Sequence, residues 1–337
     1  MLARLTYLFY LVTMGLLPQA EYEQETYLWP HLAVYDTYDS YDPTYEPTDY
    51  TPELGKAYVY YNEEKEMDEL ASELVDEPEP ELAPRPWVEP NTAHLSEHLQ
   101  QFGNSISVYF HNIESGFTFA HNANRRYPSA SITKAFYALY VYQNADAGLF
   151  DSHSEMMYLP QDHRMGSGII RQRYRFGAQF SQRRLLQLML EPSDNVATKM
   201  LVRYHGLDGF RAFAYQTAGL AGHHVGSRIM NSHVTARESG AFMRAIYDFV
   251  AIDSYYARLL RRHMSNSLFP FIVSDYPLIS KSGDFPPYAW HDVAVVYAPS
   301  PYVLVILSAR EGWGAQDFYE FREISLMFQA FNTHYFY

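Results

Sequence analysis

The chain has 337 residues, of which 47% are hydrophobic and 19% are charged, so it is long enough to bury a sizeable core. It contains no cysteine, which excludes a disulfide scaffold, a thiol nucleophile, a cysteine-based zinc site and a lipid anchor on an N-terminal cysteine. The net charge of −14 is concentrated in one segment, because residues 21–90 carry 20 acidic against three basic residues. No basic footprint is present, so we expect no nucleic-acid partner.

Residues 1–20 combine one basic residue, Arg4, with an apolar run from Leu5 to Leu17 and a small residue, Ala20. This order predicts a secretory signal peptide and therefore export. Pro18 lies at the −3 position for cleavage after Ala20, so an uncleaved N-terminal anchor that tethers the protein to a membrane is the alternative.

Residues 21–90 hold nine prolines and ten tyrosines in addition to their acidic residues. Proline and like charge oppose a packed core, so this segment is predicted to be a disordered linker, with one short helix over Glu63–Val75. Three roles remain open for it: a spacer from a membrane or wall, a tyrosine-rich binding segment, or a solvated tail with no specific partner.

Residues 91–337 carry the pattern of a folded domain. A helix is predicted over His94–Gln101, followed by paired strands over Ser105–His111 and Gly116–Ala120. The remaining predicted elements are helices over Ser181–Leu190 and Val196–Tyr204, a helix opened by a Thr235–Glu238 capping box, strands over Leu278–Ser282, Asp292–Tyr297 and Tyr302–Ser308, and a last helix over Gln316–Phe331. Strands at both ends with helices between them indicate one antiparallel sheet with a helical insertion.

The first chemical motif is Ser131-Ile-Thr-Lys134. If Ser131 starts a helix, Lys134 lies one turn away on the same face, and a desolvated lysine amine can act as a base toward the serine. The motif alone is weak, because an ordinary helical Ser and Lys pair has the same spacing.

The second motif is Ser193-Asp194-Asn195. The Ser193 hydroxyl could relay a proton to a leaving group, and the Asn195 amide could bind a substrate carbonyl. Taken alone, the motif is better explained as a helix N-cap.

The third motif is Lys281-Ser282-Gly283 at the end of a predicted strand. Lys281 and Ser282 can hold a substrate carboxylate, and Gly283 lets a ligand approach the backbone closely. The alternative is a strand end followed by a turn at Gly283-Asp284.

The three motifs together are more specific than each alone, with 62 residues from Ser131 to Ser193 and 88 from Ser193 to Lys281. The set resembles the S-x-x-K, S-D-N and K-T/S-G motifs of penicillin-recognising serine enzymes, and it is most similar to the class A β-lactamase-like branch. The similarity covers about residues 92–334 and includes Arg126–Ser131, Gly166–Gly168, Leu185–Asn195, Asn231–Gly240 and His291–Tyr297. It implies an α/β fold of the α+β type, with an antiparallel five-stranded sheet flanked by helices and an all-helical subdomain.

For catalysis, the resemblance implies that Ser131 is the acylated nucleophile and Lys134 its general base. Ser193 would pass a proton toward the leaving nitrogen, and Asp194 would be structural. Lys281 would sustain the electrostatics around Ser193 and the substrate carboxylate.

For substrate binding, the resemblance implies that Asn195 orients the acyl side chain and that Ser282 binds the carboxylate beside Gly283. The backbone N–H groups of Ser131 and Asp284 would form the oxyanion hole, a kind of donor whose loss can cost about 3 kcal/mol of transition-state stabilisation.

One region departs from the family pattern. Class A β-lactamases carry a glutamate between S-D-N and the next helix that activates the deacylating water. The corresponding segment here, Gly219–Val234, is short and holds no Asp or Glu, and Glu238 is better explained by the helix cap. The acyl-enzyme should therefore form but hydrolyse slowly, which favours a peptidase-like or penicillin-binding protein over a resistance enzyme.

We therefore expect an exported serine hydrolase that acts through an acyl-enzyme on β-lactams or on D-alanyl-D-alanine stem peptides of peptidoglycan. It would lie outside the cytoplasmic membrane of a bacterium, as a monomer and without a cofactor. The alternatives are a non-catalytic wall-associated binding or adhesion protein that retains the fold, and a generic esterase that uses Ser131 and Lys134. No metal site is predicted, because the histidine pairs His94/His98 and His223/His224 lack an evident third ligand.

Overall fold

The computed structural model describes residues 88–285, 289–309 and 315–337. The predicted signal peptide, the acidic linker and its short helix lie outside the described residues. Among the described residues, no helix combines the length and the apolar composition needed to span a bilayer.

In the part of the chain that the structure describes, nine strands form one large and two small sheets. The strands are β1 (Ile106–Asn112), β2 (Thr118–His121), β3 (Tyr127–Pro128), β4 (Glu155–Met157), β5 (Gln179–Ser181), β6 (His233–Val234), β7 (Leu278–Phe285), β8 (Ala289–Val296) and β9 (Tyr302–Ser308). The large sheet is antiparallel with the order β2-β1-β9-β8-β7, so strands from both ends of the domain meet in it. β3 pairs with β6, and β4 pairs with β5.

Nine helices of the described residues cover and extend the large sheet. They are α1 (Ala93–Gln100), α2 (Thr133–Asp146), α3 (Ile170–Arg173), α4 (Gln182–Leu190), α5 (Asn195–His205), α6 (Asp208–Ala218), α7 (Ala236–Val250), α8 (Tyr255–Ser265) and α9 (Ala315–Phe336). Between the described helices and strands, short 3-10 turns lie at Ala130–Ile132, Pro160–Asp162, Gly222–His224 and Ile229–Asn231.

The large sheet is buried on both faces, which explains why β8 is apolar almost throughout. Val293 and Val295 point into a core shared with α2, α7 and α8, whereas Ala294 and Val296 point into a second core under α1 and α9. Strands buried on both faces read as continuous apolar runs rather than as alternating patterns.

Helix α2 is the central helix of the domain. Ten of its 14 residues are buried, as expected for a helix that is apolar on every side. Phe136 of α2 stacks on Phe242 of α7 with ring centroids 4.3 Å apart, so α2 is held against the helix that covers the sheet.

The predicted elements are confirmed with shifted ends. The predicted end of strand β7 at Ser282 is wrong, because β7 continues to Phe285, and the alternative interpretation of Gly283-Asp284 as a turn does not hold. The reason is the long register with β8, in which Gly283 pairs with His291 and Phe285 with Ala289. The last helix continues past Phe331 to Phe336, because the aromatic residues at its end pack on β1 and its turn.

Candidate active site

Ser131 lies in the 3-10 turn Ala130–Ile132, which runs directly into α2. The residue before it, Ala130, has a φ of +47°, a backbone conformation that costs a non-glycine residue about 1–3 kcal/mol. Such strain persists only where the surroundings impose it, and here it sits beside the predicted nucleophile. Ser131 itself remains partly exposed.

Lys134 lies one helical turn after Ser131 and is completely buried. Its Nζ contacts three acceptors, at 2.5 Å from the Ser193 carbonyl oxygen, 3.0 Å from Ser193 Oγ and 2.7 Å from Asn195 Oδ1. A neutral amine satisfies these contacts by donating to the two carbonyl oxygens and accepting from the Ser193 hydroxyl, whereas an ammonium donates to all three. The S-x-x-K and S-D-N motifs therefore meet at one buried nitrogen.

The surroundings of Lys134 favour its neutral form. Burial is the largest cause that lowers its pKa well below the ordinary value, and the charge of Lys281 lowers it further. The carboxylates of Asp194 and Asp284 oppose this without cancelling it. A lysine that loses its proton readily can take one from a serine hydroxyl.

Asp194 connects the S-D-N motif to its surroundings through four backbone N–H groups. Its Oδ1 accepts from Val196 and Ala197, which makes it the N-cap of α5. Its Oδ2 accepts from Ile169 and Ile170 at 2.7 and 2.8 Å. The N-cap interpretation of the motif and the structural role expected for Asp194 thus describe the same geometry.

Asn195 is held in place by the segment that precedes α3. Its Nδ2 donates to the carbonyl of Met165 at 2.8 Å, and its backbone N–H donates to the carbonyl of Ser167 at 3.0 Å. Gly166, with a φ of +90°, packs so closely that a Cβ there would lie 2.7 Å from Asn195 Nδ2. Only glycine fits this position, and the Asn195 amide carbonyl stays directed at Lys134.

Strand β7 brings the third motif to the same place. A Cβ on Gly283 would lie 2.6 Å from the backbone nitrogen of Ser131 and 2.8 Å from that of Ile132. The strand thus passes directly beside the start of the nucleophile turn. This close approach, rather than a turn, explains the glycine.

Lys281 is buried, and burial lowers its pKa to about 8. The negative charge of the Asp292 carboxylate raises the pKa of Lys281, but by less than burial lowers it. Asp292 itself is fully buried, and its oxygens accept from the backbone N–H groups of Phe271, Ile272 and Val293. Its pKa is raised to about 7 by burial. In the β7–β8 register Asp292 lies opposite Ser282, so it influences Lys281 through its charge. The sequence analysis did not identify this buried carboxylate. The available signal was an acidic residue inside an apolar strand.

Two expected contacts are not formed. Within the described part of the chain, Ser131 Oγ makes no hydrogen bond to Lys134 Nζ, and Lys281 Nζ donates to the carbonyl of its neighbour Ser282 at 2.9 Å rather than to Ser193. The three motifs lie close together, but the catalytic roles assigned to Ser131, Lys134, Ser193 and Lys281 stay predictions. The same holds for the substrate contacts predicted for Asn195, Ser282, Gly283 and Asp284.

The segment 219–234 packs against the lead-in to Ser131 through backbone oxygens. Thr133 Oγ1 donates to the carbonyl of Ile229 at 2.9 Å, and the Ser129 N–H donates to the carbonyl of Ser232 at 2.8 Å. The nearby carboxylate of Glu238 caps α7 through Thr235 and pairs with Arg126 at 2.8 Å, as expected for a helix-cap partner. This segment is therefore close to the nucleophile and brings no carboxylate of its own.

The comparisons with known proteins agree with this fold and these motifs. The sequence profile described as the beta-lactamase enzyme family matches residues 91–326, and the chain belongs to this family. A search of curated protein sequences found no match.

Solved structures of similar fold include β-lactamases and a penicillin-binding protein. A β-lactamase from Sphaerobacter thermophilus superposes with a TM-score of 0.63 at 17% identity, over 72% of this chain and 98% of the other. A single-residue variant of PBP-A, solved as an acyl-enzyme complex with penicillin G, gives 0.64 at 19% identity, over 74% and 100%. An ancestral class A β-lactamase gives 0.61 at 17% identity, over 71% and 100%. At these identities the likeness establishes the fold.

Proposed function

We propose that the protein is an exported serine hydrolase that acylates Ser131 with β-lactams or with D-alanyl-D-alanine peptides and releases the acyl group slowly. The observation that supports this best is the burial of Lys134 among three acceptors from the S-D-N motif, one turn from Ser131. An amine with a lowered pKa in this position is suited to remove the serine proton.

In the proposed acylation, Ser131 Oγ attacks the carbonyl carbon while its proton passes to Lys134 Nζ. The backbone N–H groups of Ser131 and Asp284 receive the negative charge that develops on the carbonyl oxygen. As the carbon–nitrogen bond breaks, the Ser193 hydroxyl gives its proton to the leaving nitrogen and takes up in return the proton held on Lys134 Nζ, 3.0 Å away, which leaves the amine neutral. The contact between Lys134 Nζ and the Ser193 hydroxyl supports the second proton transfer of this proposal.

A substrate carboxylate next to the scissile amide is supported by Lys281 and Ser282. The positive charge of Lys281 below its pKa of about 8 favours an anion at this end of β7. Both β-lactams and D-alanyl-D-alanine peptides carry a carboxylate there, whereas a simple ester does not. A generic esterase would instead turn over neutral esters faster than carboxylate-bearing amides.

Slow deacylation is supported by the composition of the segment 219–234, which lies against the nucleophile turn without an Asp or Glu. The acyl-enzyme then lacks an evident base for water on that side. A trapped β-lactam would remain attached for minutes to hours, as in a penicillin-binding protein.

The test is intact-mass spectrometry of the full chain mixed with benzylpenicillin and followed over time, with Ser131→Ala as the control. We expect a long-lived adduct of one drug molecule that the variant does not form. Rapid drug loss without an adduct would contradict slow deacylation but not the hydrolase assignment. Absence of both an adduct and drug loss would favour the non-catalytic, wall-associated alternative, and labelling of Ser131→Ala would overturn the assignment of the nucleophile.

The proposal of export rests on the pattern of residues 1–20, which lie outside the described residues. Fusing these residues to a reporter that is active only outside the bacterial cytoplasmic membrane tests it. We expect activity with the natural sequence and none when charged residues interrupt the run from Leu5 to Leu17. A reporter that stays inactive with the natural sequence would contradict export.

A further inference from the structure

His291 is a fully buried histidine that none of the predicted steps uses. It lies in β8, at the position that pairs with Gly283 of β7. Gly283 is the residue that packs on the backbone of Ser131. His291 therefore occupies the strand position next to the one that touches the nucleophile turn.

Both ring nitrogens of His291 are engaged with backbone groups. Nε2 lies 2.8 Å from the carbonyl oxygen of Pro128, and the backbone N–H of Ser308 lies 3.3 Å from Nδ1. A carbonyl oxygen only accepts and an amide N–H only donates, so Nε2 carries the proton and Nδ1 is the acceptor. The ring of Tyr127 meets the imidazole edge to face at 5.6 Å, which fixes the orientation of the ring plane.

The Pro128 carbonyl belongs to the segment that presents the nucleophile. Pro128 ends the short strand β3 and lies three residues before Ser131, with the strained residue Ala130 between them. A second hydrogen bond, from the Ser129 N–H to the carbonyl of Ser232, holds this segment to residues 219–234. The Nε2–Pro128 bond ties the same segment to β8 of the large sheet, and the hydroxyl of Tyr127, 2.9 Å from Ser107 Oγ, ties it to β1.

We propose that His291 is a positioning residue of the active site, whose Nε2–H holds the Pro128 carbonyl and thereby keeps Ser131 in the geometry for acylation. It acts through the backbone and touches neither Lys134 nor substrate. The inference goes beyond the proposed function, because it concerns how the sheet holds the nucleophile turn whichever amide is attacked.

Burial supports a permanently neutral imidazole at this site. Burial lowers the pKa of His291 to about 4, so the tautomer that bonds Pro128 persists across the range in which the enzyme would act. A polar ring in a dry core is costly unless its hydrogen bonds are formed, and both are formed here.

Three variants separate hydrogen bonding from packing. His291→Gln keeps an N–H donor at nearly the reach of Nε2, whereas His291→Asn carries the same amide one methylene shorter, and His291→Leu has no donor. His263→Leu is the matched control. His263 of α8 is also buried, but it lies outside the predicted site, where its Nδ1 is 2.7 Å from the hydroxyl of Tyr142 on α2. Acylation by benzylpenicillin is measured by intact mass, with the active concentration corrected for the folded fraction.

We expect His291→Gln to acylate within about threefold of the wild type, because its donor is retained. His291→Asn and His291→Leu should lose about tenfold to a hundredfold in the acylation rate constant at saturating drug, with the half-saturating concentration much less affected. His263→Leu should unfold at a lower temperature and acylate at the wild-type rate per folded molecule.

Equal rates for His291→Gln and His291→Asn per folded molecule would overturn the proposal, as would a slowing of His263→Leu equal to that of His291→Leu. Should His291→Leu fail to fold, the comparison of His291→Gln with His291→Asn still tests the proposal, because the two side chains differ only in length.

Failure of the wild type to acylate would instead contradict the proposed function. In that case the test is the rate of hydrogen exchange at the Ser131 backbone amide. The proposal requires a faster exchange rate in His291→Asn than in His291→Gln, and equal rates would refute the positioning role.

Discussion

Lys134 and Asn195 are joined by a 2.7 Å hydrogen bond between Nζ of the lysine and Oδ1 of the asparagine, so the S-D-N motif directly holds the buried amine of the S-x-x-K motif. Sixty-one residues of sequence separate them, and the helical part of the domain brings them together. The amine is therefore fixed against the S-D-N motif, on a residue one helical turn after Ser131.

Replacement of Lys134 should remove acylation while leaving the fold. Lys134→Arg keeps a positive charge that cannot be lost near neutral pH, so it cannot act as a base. We expect the acylation rate with benzylpenicillin to fall by about 10² to 10⁴, the usual contribution of a general base. Intact-mass kinetics measures the rate and circular dichroism checks the fold. A folded Lys134→Arg protein that acylates at the wild-type rate would refute the role of Lys134 as base.

Acylation should fall at both ends of the pH range. On the acid side, Lys134 becomes protonated as the pH falls through its lowered pKa, and the base is lost. On the alkaline side, Lys281 loses its charge above its pKa of about 8, which weakens its hold on a substrate carboxylate. The check is the pH profile of the second-order acylation constant between about pH 5 and 10.

Lys281→Arg is the control for the alkaline limb, because an arginine stays charged throughout this range. We expect the decline near pH 8 to disappear or move upward in this variant. An unchanged alkaline limb would assign the decline to another group.

A methyl group on Gly283 should disturb the nucleophile turn. Its Cβ would lie 2.6 Å from the Ser131 nitrogen, which requires the turn or the strand to shift. We expect Gly283→Ala to acylate at least about tenfold more slowly, since a displacement of the order of 1 Å is costly in an active site. Gly222→Ala is the matched control: its nearest neighbours are side-chain atoms at 3.8 Å, so acylation should be unchanged. Equal acylation by the two variants would contradict the close approach.

Asp194 should contribute to stability more than to binding. Removing an acceptor for four buried backbone N–H groups leaves unpaired donors, and we expect Asp194→Ala to lower the free energy of unfolding by about 2–4 kcal/mol. Asp208→Ala is the control, because the Asp208 side chain is fully exposed in its ion pair with Arg211 and its removal should leave the free energy of unfolding nearly unchanged. Urea denaturation measures both. A loss below 1 kcal/mol for Asp194→Ala would refute this role.

Most of the fold could be predicted from local pattern and the three motifs. The paired strands β1 and β2 and the helix that Thr235 opens follow from alternation and capping chemistry. Ser181, predicted as the first residue of its helix, is the N-cap of that helix. The start of β8 is predicted at Asp292, three residues after its observed start at Ala289. The carboxylate of Asp292 is buried inside this strand. Its backbone N–H partners at Phe271 and Ile272 are 20 or more residues away, so only the tertiary structure explains it.

The composition of the site was easier to predict than its contacts. The convergence of Ser131, Lys134 and Asn195 follows from motif order, but the three acceptors around Lys134 Nζ do not. The positive φ values of Ala130 and Ser193 have no sequence signal, because neither residue type favours that conformation. Contacts of this kind depend on packing between segments that are distant in sequence.

Acid should destabilise the domain through its buried histidines, and His263 isolates the effect. Burial lowers its pKa to about 3, from 6.5 in an unfolded chain, and its Nδ1 must be unprotonated to accept from the Tyr142 hydroxyl. The unfolded state therefore binds a proton more readily, so the stability that His263 contributes is full above pH 6.5 and is lost as the pH falls toward its folded pKa. Relative to His263→Gln, the wild type should lose about 2–3 kcal/mol of unfolding free energy between about pH 7 and 4.5. Urea denaturation at each pH measures this difference. A wild-type profile parallel to that of His263→Gln would contradict a histidine buried in its neutral form.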